Sequence, residues 1–220
     1  MAQTNAGKEL ARLIELTLRA ADVTCADIER VCAEARRRGV ASVCVNGSRV
    51  AQAVHFLEES DVKVTGAVAF PLGASDADVK RFETEAAVDY GAHFIEVTAN
   101  LGRLKDGERA YVLRELRDVV EAADERPVSV GVDVRLLTAA EISELARVAV
   151  EAGIKGVCLA GGPGVADRVE AVKLFREVAG DDFGIKVDQR MVTLDEVVAL
   201  LDAGATRLGL EDAAKLLENT

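Results

Sequence analysis

Short apolar, β-branched segments alternate with longer amphipathic segments along the whole chain. Between the short segments, apolar residues recur at spacings of three and four, as in ADIERVCAEARRRG and DGERAYVLRELRDVVEAA, which is typical of amphipathic helices. The short segments predict eight strands: LIELT (13–17), ASVCVN (41–46), VKVTGAVAF (62–70), HFIEVT (93–98), VSVGVDV (128–134), KGVCLA (155–160), FGIKVD (183–188) and TRLGL (206–210). Several helices are predicted to begin after Ser, Thr or Asp. The glycines at which these helices are predicted to end are Gly39, Gly91, Gly153, Gly180 and Gly204.

This alternation indicates parallel strands joined by crossover helices. Eight strand–helix units in 220 residues predict an α/β protein, a compact (β/α)8 TIM barrel with little room for insertions. The rival is an open doubly wound sheet, which is disfavoured because no GxGxxG follows the first strand. No linker or change of composition divides the chain, so residues 1–220 are predicted to form one barrel domain.

Composition and charge narrow the classes of partner. A net charge of −11, with 4% aromatic residues and no Trp, argues against nucleic-acid binding, which needs basic patches and stacking rings. The sequence has no run of eighteen apolar residues, and its start, MAQTNAGKEL, has no signal-peptide pattern. We therefore expect no membrane association and a cytoplasmic location.

Residues that commonly hold metals are sparse. The cysteines are Cys25, Cys32, Cys44 and Cys158, and no two of them form a CxxC pair. Only two histidines are present, and neither lies near a nucleophile motif. We therefore predict no metal site, no cofactor and no histidine-based triad.

Polar residues occupy one face of four predicted strands near their C-terminal ends, where barrel active sites are built. In chain order they are Glu96, Thr98 and Asn100; Asp133 and Arg135; Cys158; and Lys186 and Asp188. Side chains alternate along a strand, and the intervening residues, such as Ile185 and Val187, are mostly apolar. The polar set is therefore predicted to face the barrel interior, with Lys186 as the principal cation of the site.

A lysine in an apolar strand needs an explanation, because burial disfavours its charged form. A structural network of Lys186 with Glu96, Asp133 or Asp188 would explain it. Buried ion pairs gain little stability over apolar packing of equal volume, so a functional site is the favoured interpretation.

Four further residues have candidate roles in the predicted fold. Glu15, on the first strand, is a candidate for the same polar set, and Cys44 either lines the pocket or belongs to the core. Lys80 and Glu83 are predicted to be a weak surface pair on a helix.

Several segments together resemble the deoxyribose-phosphate aldolase family, from about residue 10 to the C-terminus. They are VTCADIERVCAEARRRGVASVCVN, VTGAVAFPLG, VKRFETEAAVDYGAHFIEV, NLGRLKDG, RLLTAAEI and LDAGATRLG. The most specific part of the resemblance is that FPLG is followed by K-x-x-E and then by GA. The family consists of class I aldolases with a (β/α)8 barrel, so the resemblance implies the same fold as the strand count.

The resemblance also implies roles for individual residues. The family forms a Schiff base with a lysine at the end of strand six, where this chain has Cys158, and Lys155, near the opposite end of that strand, is not expected to replace it. The family's second lysine, on strand seven, is matched by Lys186. Its acidic residues on strands four and five are matched by Glu96, one methylene longer than the usual aspartate, and by Asp133.

The family's phosphate-binding segments differ here. Asp188-Gln189-Arg190 stands in place of S-G-G, and Gly209-Leu210-Glu211 in place of G-x-S. Two carboxylates would repel a phosphate, so a substrate without phosphate is expected, although Arg190 compensates in part. Arg135 and Arg190 are alternatively suited to bind a substrate carboxylate, and GGPG at 161–164 is either an anion site or a plain tight turn.

Three functional hypotheses follow. In the first, Lys186 forms an imine with the substrate. In the second, Lys186 stays charged and polarises a carbonyl or enolate while Glu96 or Asp133 moves protons. A variant of the second has Cys158 as the nucleophile. In the third, the barrel is an inactive binding or regulatory protein. We favour an aldolase-type enzyme for a small carbonyl substrate, forming a homo-oligomer. Its predicted catalytic residues are Lys186, Glu96 and Asp133, and its predicted binding residues are Asp188, Cys158, Asn100, Arg135, Arg190 and Cys44.

Overall fold

The structure is a computed structural model that describes residues 5–162, 164–189 and 193–218. The strands are β1 (Ile14–Leu18), β2 (Ser42–Asn46), β3 (Lys63–Val68), β4 (Phe94–Thr98), β5 (Val128–Asp133), β6 (Gly156–Ala160), β7 (Gly184–Gln189) and β8 (Arg207–Leu210). The helices are α1 (Asn5–Ala11), α2 (Cys25–Arg38), α3 (Val50–Phe56), α4 (Ala77–Asp89), α5 (Leu101–Lys105), α6 (Arg109–Ala122), α7 (Ala139–Ala152), α8 (Val165–Ala179), α9 (Leu194–Asp202) and α10 (Ala214–Glu218). Each predicted strand is present, with ends within two residues of those predicted.

The eight strands form a closed parallel barrel in chain order, with β8 pairing with β1. The predicted (β/α)8 fold class is confirmed. All neighbouring strands run in the same direction, so their C-terminal ends meet at one rim, called here the mouth. Among the described helices, none has the length and apolar character needed to span a bilayer.

The two faces of the strands have different surroundings, as alternation predicts. Ile185 and Val187 on β7 are fully buried in the apolar layer between barrel and helices. Lys186 and Asp188 point the other way, into the barrel, where Lys186 lies opposite Cys158 of β6 and Asp188 opposite Gly209 of β8. The pairing register therefore sets polar groups of neighbouring strands at matching heights.

Helix ends follow the sequence signals. Thr24 and Thr138 begin α2 and α7 with reciprocal side-chain and backbone hydrogen bonds, and Gly39 and Gly153 end these helices in the left-handed conformation. Each such cap stabilises a helix end by about 1 kcal/mol. The caps fix where each helix begins after its strand, and so hold the loops of the mouth.

The prediction of a weak surface pair between Lys80 and Glu83 is wrong. Lys80 is fully buried between helices, and its Nζ lies 2.8 Å from Oε1 of the equally buried Glu115 on α6. Glu83 instead accepts a hydrogen bond from the backbone N–H of Ala69 at 2.8 Å. Both side chains face neighbouring elements because α4 packs closely against α6 and β3.

Candidate active site

Five charged side chains meet inside the barrel and form what we call the charge cluster: Glu15, Arg19, Glu96, Lys186 and Asp188. The ammonium of Lys186 pairs with Glu15 and lies 2.5 Å from Glu96 Oε2 and 3.6 Å from Asp188 Oδ1. The guanidinium of Arg19 lies 2.5 Å from Glu96 Oε1 and pairs with Asp188. Two cations face three carboxylates, so the charge cluster has a net charge of −1 when all five groups are ionised.

Glu15 is fixed from several strands at once. The hydroxyls of Ser42 on β2 and Thr65 on β3 both donate to its Oε2 at 2.6 Å, while Lys186 pairs with the other oxygen. Burial raises the pKa of Glu15, but the charge of Lys186 and these three hydrogen bonds outweigh burial and lower it. Glu15 is therefore an ionised partner that holds Lys186 in position. It lies in the polar set for which the sequence made it a candidate.

The ionisation of Lys186 follows from its neighbours. Burial lowers the pKa of this lysine, yet the charges of Asp188, Glu15 and Glu96 outweigh burial, and the pKa stands well above its ordinary value. Burial likewise raises the pKa of Asp188, and the charges of Lys186 and Arg19 lower it below its ordinary value. At neutral pH, Lys186 is an ammonium and Asp188 a carboxylate.

Arg19 is the member of the charge cluster that sequence reasoning missed. It follows β1, and its guanidinium lies 4.2 Å from the centre of the Phe70 ring, a cation–π contact. The same alternation that groups Glu15 with Thr17 also includes Arg19, so the signal was available in the sequence. Lys186 lies inside the barrel as predicted, but Arg19 is a second cation of the site.

Two cavities open at the mouth and share Arg19, Arg135 and Gly161 in their walls. The first, called the mouth cavity, has a volume of about 290 Å³, close to the lower range of small-molecule sites. Its walls include Glu96, Cys158 and Phe70.

The second, called the adjoining cavity, has a volume of about 430 Å³. It extends over Asp188 and Gln189 and is bordered by Arg168 and Glu211.

A third cavity, of about 250 Å³, opens at the N-terminal ends of the strands and is called the N-terminal cavity. Lys186, Glu15 and Glu96 line it, together with Lys155. Arg19 lines both cavities at the mouth, whereas Lys186 lines neither of them among the described residues. Arg19 therefore lies between Lys186 and the mouth, and Lys155 is on the far side, as expected.

Asp133 lies at the mouth, outside the charge cluster. Its carboxylate is held by Arg135, whose nitrogens lie 2.5 Å from Oδ2 and 3.0 Å from Oδ1. Hydrogen bonds from Arg135 lower the pKa of Asp133. The structure thus pairs these two predicted site residues with each other, and the ion-pair network considered for Lys186 forms with Glu96 and Asp188 and does not include Asp133 within the described residues.

The remaining polar candidates have separate positions. The side-chain oxygen of Asn100 accepts from the backbone N–H of Arg103 at 3.3 Å and caps α5, and Asn100 is not among the described residues that line the two mouth-side cavities. Arg190 lies outside the described residues. Neither residue can be placed beside the charge cluster.

Cys44 and Cys158 are both buried next to the charge cluster. Burial raises the pKa of each thiol well above its ordinary value, so both are protonated at neutral pH. Cys158 lines the mouth cavity.

Each of these sulfurs lies within 4.8 Å of two carboxylates, forming the groups Glu15–Cys44–Glu96 and Glu96–Cys158–Asp188. Thiol and carboxylate donors of this kind are able to ligate a metal ion. The same carboxylates are ion-paired with Lys186 and Arg19, so an added metal ion would compete with a resident cation.

Gly209 leaves room for Asp188. A Cβ at Gly209 would lie 1.6 Å from Asp188 Oδ1, so we expect Gly209→Ala to displace this carboxylate and lower the free energy of unfolding by about 1–3 kcal/mol. Urea denaturation measures the change. Gly102→Ala on α5 is the matched control, because its nearest contact would be an ordinary 3.6 Å to Asn100 Oδ1. An unchanged midpoint for Gly209→Ala would contradict the position of Asp188.

The charge cluster lies inside the barrel and reaches the mouth through Arg19, Glu96 and Asp188, an arrangement typical of (β/α)8 barrel enzymes. The chain is 37% identical over 214 residues to a deoxyribose-phosphate aldolase of Aciduliprofundum boonei, with 96% of both chains covered. It is 41% identical over 202 residues to one of Exiguobacterium sibiricum, with 91% of both covered. The chain belongs to the deoxyribose-phosphate aldolase family, whose members are aldolase-type carbon–carbon lyases.

Solved structures agree on the fold. A candidate deoxyribose-phosphate aldolase from Coccidioides immitis, 28% identical, superposes with a TM-score of 0.91 over 100% of this chain and 88% of that one. The deoxyribose phosphate aldolase of Aeropyrum pernix, which is 22% identical, superposes with a TM-score of 0.86 over 99% of this chain and 93% of that one. It shows the same fold. No protein-family profile matches the chain.

Proposed function

We propose that this chain catalyses aldolase-type carbon–carbon chemistry on a small carbonyl substrate through fixed charges, without forming an imine. The observation that carries the proposal is the arrangement at the mouth cavity. Arg19 and Glu96 line this cavity, and beneath them Lys186 is held as an ammonium by three carboxylates. Preorganised charges of this kind stabilise the negative charge that develops on a carbonyl oxygen.

Each group has a separate role in this proposal. Arg19 donates to the carbonyl or enolate oxygen, since a guanidinium has five N–H donors and only two of its nitrogens contact carboxylates here. Glu96 moves the proton, because within the described residues it is the carboxylate of the charge cluster that lines the mouth cavity. Lys186 lies 2.5 Å from Glu96 Oε2 and fixes the position of this carboxylate, and Asp188 balances the cations.

Two observations support a mechanism without an imine. An imine forms only when a neutral amine reaches the substrate. Lys186 is charged and does not line the mouth cavity, so both its ionisation and its position disfavour imine formation. At the position that the family resemblance gives to the imine-forming lysine, the mouth cavity has the protonated thiol of Cys158.

We also propose that the substrate carries no phosphate. Glu211 and Asp188 both border the adjoining cavity, where a phosphate dianion would meet their charges. Arg19, Arg135 and Arg168 border the same cavity, but Arg19 is paired with Asp188 and Arg135 with Asp133, so the cavity suits a singly charged group such as a carboxylate.

The substrate test compares acetaldehyde release from 2-deoxyribose 5-phosphate by this chain and by the Exiguobacterium sibiricum relative. We expect this chain to be slower by a factor on the order of 10³, because it lacks the covalent step. Acetaldehyde with borohydride, read by peptide mass spectrometry, is expected to leave Lys186 unmodified. Comparable turnover, or a reduced adduct on Lys186, would overturn the mechanism proposed here.

A catalytically inactive binding protein is the second candidate. It is favoured by the contacts that Arg19 already makes within the chain, with two carboxylates and the Phe70 ring. A screen of small aldehydes and ketones for new carbon–carbon bonds, followed by nuclear magnetic resonance, separates the two: binding without any product supports this candidate.

We further propose a homo-oligomer. The Aeropyrum pernix aldolase is described as tetrameric. In this chain, Leu72, Val79 and Phe82 on α4 and the loop before it expose large apolar side chains that a second copy could cover.

A further inference from the structure

Two charged residues of α4 contact the ends of two neighbouring strands from outside the barrel. The Nζ of Lys80 donates to the carbonyl of Thr98, the last residue of β4, at 2.9 Å. The Oε2 of Glu83 accepts from the N–H of Ala69, directly after β3, at 2.8 Å. The two residues are three apart on one helix and therefore lie on the same side of it.

The ends of β3 and β4 are both next to residues that form the walls of the mouth cavity. Thr98 lines this cavity, and Ala69 precedes Phe70, whose ring covers the guanidinium of Arg19. Ala69 has a φ of +56°, a left-handed conformation that costs a non-glycine residue about 1 kcal/mol or more. The hydrogen bond from Ala69 to Glu83 stabilises this conformation and so fixes the direction in which Phe70 leaves the strand.

The loop after β3 is also seated on the end of β4. The N–H of Gly73 donates to the carbonyl of Ala69 at 2.8 Å, and a Cβ at Gly73 would lie 2.1 Å from the carbonyl oxygen of Ala99. The two strand ends and the loop thus form one tightly packed unit. A shift at either α4 contact would move the unit as a whole.

Stability alone does not account for Lys80. Burial lowers its pKa and raises that of its partner Glu115, and Glu115 Oε2 has no hydrogen-bond partner within the described residues. A buried pair of this kind gains little over apolar side chains of the same volume. What apolar side chains would not supply is the hydrogen bond from Lys80 to Thr98.

We propose that Lys80 and Glu83 are positioning residues, which hold the ends of β4 and β3 so that Thr98 and Phe70 stay in place as walls of the mouth cavity beside Arg19. The inference rests on the proposed function in one respect, that the mouth cavity is the reaction site.

The experiment uses Cys158, which lies buried at the mouth cavity, as a reporter of its opening. Its rate of alkylation by iodoacetamide is followed by peptide mass spectrometry, with the exposed Cys25 as internal reference. We expect Glu83→Ala to accelerate alkylation of Cys158 about tenfold, because the loop opens more often. Glu83→Gln should stay within about twofold of the wild type, since its amide oxygen still accepts from Ala69.

Matched controls test α4 itself. Arg81→Ala removes an exposed pair with Glu85 on the same helix and should leave the alkylation rate unchanged. The double variant Lys80→Met/Glu115→Leu removes the buried pair together, so it should keep the wild-type denaturation midpoint while Cys158 is alkylated about tenfold faster.

The inference is overturned if Cys158 is alkylated at the wild-type rate in both Glu83→Ala and the double variant. It is also overturned if Cys158 in Glu83→Gln is alkylated as fast as in Glu83→Ala. The readout needs no substrate. If alkylation accelerates as expected while the wild type converts no carbonyl compound, the proposed function fails and the positioning role stands. Where a substrate is found, kcat should fall about tenfold in Glu83→Ala and return in Glu83→Gln.

Discussion

Lys186→Met is expected to abolish activity and to lower the free energy of unfolding by about 3–5 kcal/mol, because it leaves buried carboxylates without their partner. Glu15, Glu96 and Asp188 would share the single charge of Arg19, and the net charge of the cluster would change from −1 to −2. Urea denaturation and turnover of the substrate found by the carbonyl screen measure the two effects.

The matched variant Lys186→Met/Glu15→Gln restores the net charge of −1. A glutamine oxygen can still accept from Ser42 and Thr65, so we expect about half of the lost stability to return. Activity should not return, because Glu96 still lacks its ammonium. A double variant as active as the wild type would show that Lys186 is a structural residue.

The pH dependence of this effect has a definite sign. In the wild type, the raised pKa of Lys186 contributes stability that is present below the unfolded value of about 10.4 and is lost as pH rises through the folded value. The lowered pKa values of Glu15 and Asp188 contribute stability present above about 4 and lost as pH falls through their folded values. The cluster is therefore fully stabilising at neutral pH.

In Lys186→Met the carboxylates are buried without that partner, so their folded pKa values rise and they take up protons before the unfolded chain does. The free energy of unfolding of the variant should increase as pH falls from 7 to 5. The difference in free energy of unfolding between the variant and the wild type should therefore become smaller. Denaturation at both pH values checks this. A gap that stays constant would mean that Lys186 does not compensate these carboxylates.

Arg19→Met is expected to reduce kcat by a factor of about 10²–10³, the usual effect of losing one electrostatic contact to a developing oxyanion. The stability loss should be smaller than for Lys186→Met, about 1–3 kcal/mol, because Arg19 is nearer the mouth and its side chain is 11% exposed. Steady-state kinetics on the screened substrate and urea denaturation give both values.

Arg19→Lys tests the geometry. One ammonium cannot contact both Glu96 and Asp188 and also lie flat on the Phe70 ring, so an intermediate loss of about tenfold is expected. Arg30→Met, which removes an exposed pair with Asp27 on α2, is the control and should change neither quantity. Full kcat in Arg19→Met would remove Arg19 from the proposed mechanism.

Local alternation was enough to predict the barrel and the inward direction of Glu96, Cys158, Lys186 and Asp188, because strand parity depends only on neighbouring residues. The same rule held for Arg19, one residue past β1, but failed for Arg135, two residues past β5. β5 ends at Asp133 and the chain turns into a short 3-10 helix, so Arg135 folds back on Asp133.

Long-range contacts account for the other gaps. Alternation puts Arg19 on the inward side, but the groups it contacts are carboxylates from β4 and β7 and the Phe70 ring, which are far away in sequence. The burial of Lys80 depends on Glu115, although its spacing with the buried Ala77, Thr84 and Ala87 was a readable signal of an inward helix face.

The N-terminal cavity makes the charge cluster a partition between two compartments. Lys186 and Glu15 border the compartment away from the mouth, whereas Arg19 and Cys158 border the compartment at the mouth. An inhibitor therefore has two separate routes to the charge cluster, one to Glu15, Glu96 and Lys186 and the other to Arg19, Glu96 and Asp188. A ligand at the mouth would compete with substrate, whereas one entering between the strand beginnings at Gly156 and Gly184 would disturb Lys186 noncompetitively.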